Sequence, residues 1–135
     1  MRLFIFCSDP REEADLETKI QQELIYPGEK IMKLANYGYP IVLAHPIAFP
    51  HEANALLRQI EFGIRKFHPD QIVSVGHNCG WCEESPLTAG ISLFEKKRNI
   101  ERIHIMLSRR HPHQVFKSFF DITHGEKVQF EHFAA

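Results

Sequence analysis

Short apolar runs alternate with longer amphipathic stretches along this chain, and that alternation restricts its fold more than any other feature. Residues 2–7 (RLFIFC), 39–44 (YPIVLA), 71–76 (QIVSVG) and 102–107 (RIHIML) have the length and apolar content of buried strands. Between the first two, a helix is expected from Pro10. Asp9 stands in the capping position with Glu12 three residues on, and Ala14, Leu16, Ile20 and Leu24 form an apolar face. Pro27-Gly28 ends it, and a short helix is expected over residues 29–36. The clearest helix covers residues 51–67, where Ala53, Leu56, Leu57, Ile60, Ile64 and Phe67 recur at three- and four-residue steps. A third helix is expected over residues 85–98. Residues 115–123 and 127–133 flank His124-Gly125-Glu126 and read as a hairpin.

Strands alternating with helices imply right-handed crossovers and an α/β fold. A mostly parallel central sheet with helices on both faces is expected, with the C-terminal hairpin adding an antiparallel edge. The 135 residues show no repeat, low-complexity tract or linker, so a single domain spanning residues 1–135 is expected.

Composition removes several function classes. Sixteen basic against seventeen acidic side chains leave a net charge of −1, which gives no overall attraction to nucleic acid or anionic lipid. Residues 95–110 do hold six bases against two acids, but cations suit the last turn of a helix. The longest apolar stretch, residues 39–50, is interrupted by His45 and three prolines and falls short of a bilayer span. The opening MRLFIFC runs straight into acidic residues, unlike a signal peptide, so a cytoplasmic location is expected. Three cysteines are an odd number and argue against a disulfide framework. No phosphate-binding loop, nucleophile elbow or dinucleotide-binding glycine motif occurs.

Ligands of open α/β sheets bind beyond the carboxyl ends of the strands. The first strand ends in Cys7-Ser8-Asp9-Pro10-Arg11 and the third in Gly76-His77-Asn78-Cys79-Gly80-Trp81-Cys82. If these strands are neighbours, one thiol meets an imidazole and two further thiols. Zinc prefers such donors, and three protein ligands leave a fourth position open for catalysis. In an extended chain His77 and Cys79 lie on one side, about 6.6 Å apart, within convergence distance of one ion. Cys82 is an alternative or additional ligand. All four donors together would make a closed, structural site. Cys79 and Cys82 also form a C-x-x-C pair, the arrangement of a thiol–disulfide oxidoreductase. Asp9 has a simpler role as a helix cap, and Arg11 as a surface charge. His45, His111, His113, His124 and His132 fit surface positions, with proton transfer as the alternative.

Cys7-x-Asp9-x-Arg11 resembles the signature of the β-class carbonic anhydrases. Residues 60–64 and 72–77, followed by Cys79-Gly80, are similar to that family's helix–strand–Gly-His–Cys-Gly segment. Phe119-Phe120-Asp121-Ile122-Thr123 with Gly125 resembles its closing hairpin. This divergent chain places His77 two residues before Cys79, where the family has three. The resemblance implies zinc held by Cys7, His77 and Cys79, and reversible hydration of carbon dioxide to bicarbonate. It further implies that Asp9 orients the attacking water, that Arg11 holds Asp9 through a bidentate pair, and that the protein is a homodimer or higher homo-oligomer.

Overall fold

The computed structural model describes residues 1–8, 16–36, 38–77, 92–123 and 127–133. Their elements are β1 (Arg2–Phe6), α1 (Leu16–Glu23), β2 (Ile31–Ala35), α2 (Ile41–Ala44), α3 (Pro50–Phe67), β3 (Gln71–Gly76), α4 (Leu93–Arg110), β4 (Phe116–Asp121) and β5 (Phe130–Phe133). The five strands form one sheet in the order β2-β1-β3-β4-β5. Every neighbouring pair is parallel except the closing β4–β5 hairpin. The fold is therefore α/β, as the alternation of runs predicts.

Side-chain alternation along β1 and β3 feeds two cores. Leu3, Ile5 and Ile72 face α2, α3 and α4. Phe4, Phe6, Val73 and Val75 face Leu16 and Ile20 of α1 and the neighbouring Ile25. Helices thus cover both faces, which is why β3 reads as continuously apolar. α3 buries Ala53, Leu56, Ile60 and Gly63 along one stripe. Leu56 and Ile60 are fully buried, and each such side chain contributes about 1.5–3 kcal/mol. Pro50 opens this helix, Arg65 and Lys66 complement its carboxyl end, and His68 closes it in a left-handed conformation. Ser92 caps α4, its hydroxyl accepting from the Glu95 N–H at 3.2 Å. Among the described residues no helix is long and apolar enough to cross a membrane.

Three local expectations are corrected. Residues 29–36 do not form a helix; Ile31–Ala35 is the edge strand β2, paired in parallel with all of β1. Its polar–apolar content suits a half-exposed edge, and pairing with β1 overrides the weak helical pattern. Residues 39–44 do not form a strand. A turn leads into the single-turn helix α2, whose Ile41, Val42 and Leu43 are all buried. Periodicity does not distinguish a buried strand from a buried helical turn in so short a run. Residues 102–107 are also not a strand but the interior of α4, which continues twelve residues past the expected end at Arg98. Ile100, Ile103 and Leu107 are its core stripe at helical spacing, and they outweigh the accidental alternation of RIHIML. Residue 10, where the first helix is expected to start, and residues 85–91 of the third lie outside the described residues.

A candidate metal centre at the strand carboxyl ends

From β1 the chain passes through α1, on one face, to β2 on one side. It then returns through α3, on the other face, to β3 on the opposite side of β1. The winding direction reverses between β1 and β3. Their carboxyl ends flank this switch point, the usual place for a ligand in open α/β sheets.

Cys7 and His77 are the residues that follow these two strands. Both are buried, at 2% and 3% exposure. The β1–β3 register pairs Ile5 with Ser74, so two steps further Cys7 stands level with Gly76. The structure therefore brings the ends carrying Cys7 and His77 side by side. Asp9, Arg11, Cys79 and Cys82, the other residues singled out in the sequence, lie outside the described residues. Among the described residues no group of three or more His, Cys, Asp or Glu side chains could hold a metal ion.

The surroundings of Cys7 are built by the connection after β2. The Asn36 N–H donates to the Phe6 carbonyl at 2.9 Å, which holds the connection against the end of β1. The Gly38 N–H then donates to Cys7 Sγ at 3.4 Å. Gly38 has φ of 85°, a conformation that glycine adopts without steric cost. Next in the chain, the Tyr39 hydroxyl shares a buried hydrogen bond with Ser74 Oγ of β3. Burial pushes the Tyr39 phenol far above its ordinary value, against the opposing effect of Ser74, so it keeps its proton. This short segment fastens β1 to β3 immediately beneath the switch point.

A third strand end completes the row. β3 and β4 pair Gly76 with Phe120, so the next step sets His77 level with Asp121. Asp121 Oδ2 accepts from Lys19 Nζ of α1 at 2.8 Å, and Oδ1 accepts from the Thr123 N–H at 2.9 Å. Burial by itself raises the Asp121 carboxyl. The hydrogen bonds from Lys19 and Thr123, with the Lys19 charge, outweigh burial and hold the carboxyl below its ordinary value.

Of the other histidines, His45 is half-buried at the end of α2, His111 is half-buried, and His113 and His132 are exposed. His124 lies outside the described residues. Sequence reasoning gave no role to Gly38, Tyr39, Ser74, Lys19 or Asp121. Asp121 carried one usable signal, an acid closing the otherwise apolar strand FKSFFD. The Tyr39–Ser74 and Gly38–Cys7 contacts had none, since residues 39–44 read as a strand.

The chain matches no protein-family model, and no curated protein matches it.

Proposed function

We propose that this protein is a zinc-dependent enzyme that reversibly hydrates carbon dioxide, acting in the cytoplasm as a homodimer or higher homo-oligomer. One observation carries the reading: a buried thiol and a buried imidazole follow the two neighbouring strands that flank the switch point. Thiolate and imidazole are donors that zinc favours, so the residues present fit the ion. Cys7 and His77, with Cys79 or Cys82, would hold it. Zinc in such a site supplies a water nucleophile at neutral pH and polarises oxygen.

The remaining work falls to this chain's own groups. The Gly38 N–H steadies the Cys7 sulfur, as outer partners of metal ligands do. Asp9 would accept a hydrogen bond from the attacking water and orient it toward carbon dioxide. Arg11 would pair with the Asp9 carboxylate and hold it away from the ion. A new carbon–oxygen bond forms, one proton passes to solvent or buffer, and bicarbonate leaves. The buried Lys19–Asp121 pair ties α1 to the end of β4, beside the switch point.

Elemental analysis and stopped-flow hydration, run on the same samples, test the reading. One zinc per chain is expected, lost in Cys7→Ser and in His77→Ala. Asp9→Asn should retain fold and zinc, because Asn caps a helix about as well as Asp, yet lose hydration. Full zinc in both ligand variants overturns the metal site. Zinc with no hydration in the native protein identifies a closed site. A Cys79–Cys82 disulfide that cycles without metal identifies a thiol oxidoreductase.

A further inference from the structure

A concavity lies away from the switch point. A cleft of about 700 Å³ opens between α3 and the edge strand β2. Leu3, Met32 and Leu34 form its floor, and Phe62 and Phe67 stand beside it. Phe62 is 56% exposed and Phe67 44%, their rings edge to face at 6.5 Å. Two half-exposed aromatic rings facing an apolar floor are the kind of surface that marks binding. The volume falls within the ordinary range of small-molecule sites, about 300–1,000 Å³.

The charge around the cleft has one sign. Arg58 and Arg65 line it, and no acidic side chain does. Lys33 also belongs to the lining, but its Nζ pairs at 2.5 Å with Glu17 of α1, on the opposite face of the sheet. Arg58 and Arg65 have no ion-pair partner among the described residues. At positions i, i+4 and i+7 of α3, Arg58, Phe62 and Arg65 share one helix face, with the ring between two cations roughly 10.5 Å apart along the axis. Leu3 lies four residues before Cys7, so the cleft sits about 13 Å along the sheet from the proposed metal centre.

We propose that this cleft binds an amphipathic carboxylate, a medium-chain acyl anion. Its chain lies on Leu3, Met32 and Leu34 beneath Phe62, and Arg58 or Arg65 takes the carboxylate. The site does not depend on the zinc reading.

The test is titration of the protein with 11-(dansylamino)undecanoate, followed by dansyl fluorescence. Dodecanoate and dodecylamine serve as competitors of similar length and opposite charge. Saturable binding is expected, displaced by dodecanoate and at least tenfold less well by dodecylamine. Arg58→Glu/Arg65→Glu replaces exposed side chains with a good helix former, so the fold is kept, and it should weaken binding at least tenfold. Phe62→Ser should weaken it without changing the charge preference. Amide shifts in the NMR spectrum should centre on Met32, Leu34 and Gly63. No saturable binding, equal displacement by the amine, or unchanged affinity in the double variant overturns the proposal. So does a dimer that dissociates on the same double substitution, because the cleft would then belong to a second copy.

Discussion

Replacing Gly76 by alanine tests the packing directly beneath the proposed site. A Cβ at this position would lie 2.5 Å from Ile100 Cγ1, 2.7 Å from Ile100 Cδ1 and 3.1 Å from Phe120 Cδ2. Ile100 is β-branched and sits inside α4, where one χ1 rotamer dominates, so it does not swing aside. Phe120 closes the other direction, leaving a movement of α4 away from the sheet as the only relief. Overpacking of this kind costs about 1–3 kcal/mol, and the close approach to a rigid side chain puts Gly76→Ala in the upper half of that range. The smaller backbone entropy of unfolded alanine returns about 0.4–1 kcal/mol. The net expectation is a loss of about 2 kcal/mol, or ~8 °C in Tm for a chain of this length. Urea unfolding measures it, with an unchanged m value showing that stability alone has moved. The decisive arm is a double-mutant cycle with Ile100→Ala, which by itself should cost about 2–5 kcal/mol. With Ile100 truncated, Gly76→Ala should cost almost nothing, giving a coupling energy near 2 kcal/mol. Additivity within about 0.5 kcal/mol would refute the claim that contact between α4 and β3 is what requires glycine here.

Tyr39→Phe removes the partner of a buried Ser74 hydroxyl and should cost about 1–2 kcal/mol by urea unfolding, with part of the loss recovered when Ser74→Ala is added. Asp121→Asn should cost about 1.5–3 kcal/mol at pH 7, because it weakens charge-assisted hydrogen bonds from Lys19 and Thr123. The native carboxyl is held below its ordinary value, so its stabilisation is present above about pH 4 and lost as pH falls through the native pKa. Thermal melts of Asp121→Asn should therefore depend less on pH below about 4 than those of the parent. His104 is buried in α4 with Nδ1 at 2.7 Å from Ser118 Oγ, and burial, with a smaller contribution from His132, lowers its pKa. It stabilises the fold while neutral, above about pH 6.5, and that contribution is lost as pH falls toward the native pKa. Substituting His104→Gln should flatten the melting profile below about pH 6.5, and an unchanged profile would refute the assignment.

Which elements were legible in the sequence follows from which ones carry their own signal. β1, β3 and α3 lie in the centre of the sheet or along a full helical stripe, and burial alone dictates their patterns. The hairpin strands were equally plain because turn residues separate them. β2 was not legible, since an edge strand buries little and IMKLA owes its conformation to β1. α2 was hidden because a single turn buried on all sides carries no period. Residues 102–107 of α4 read as a strand because Ile103, Ile105 and Leu107 alternate by coincidence, although Ile105 is 39% exposed and stands outside the core stripe.

The site divides along the same line. Cys7 and His77 were legible because residues following buried strands must reach the carboxyl edge of the sheet, whatever the details of the fold. What surrounds them depends on long-range closure. Gly38 reaches Cys7 across 31 residues, Tyr39 reaches Ser74 across 35, and Lys19 reaches Asp121 across 102. None of these pairings has a local pattern, yet the first two join the connection after β2, and the third joins α1, to the same edge. The reversal of winding between β1 and β3 explains the convergence. α1 leaves on one face and α3 returns on the other, so each connection starts from the carboxyl end of the strand before it. The polar contacts of Gly38, Tyr39 and Lys19 are then made at or just below that edge. The reactive side chains singled out from the sequence follow the two strands on either side of that reversal. At that edge the buried Gly38 N–H is satisfied by the Cys7 sulfur, as a buried donor must be, and the contact fixes where the thiol stands.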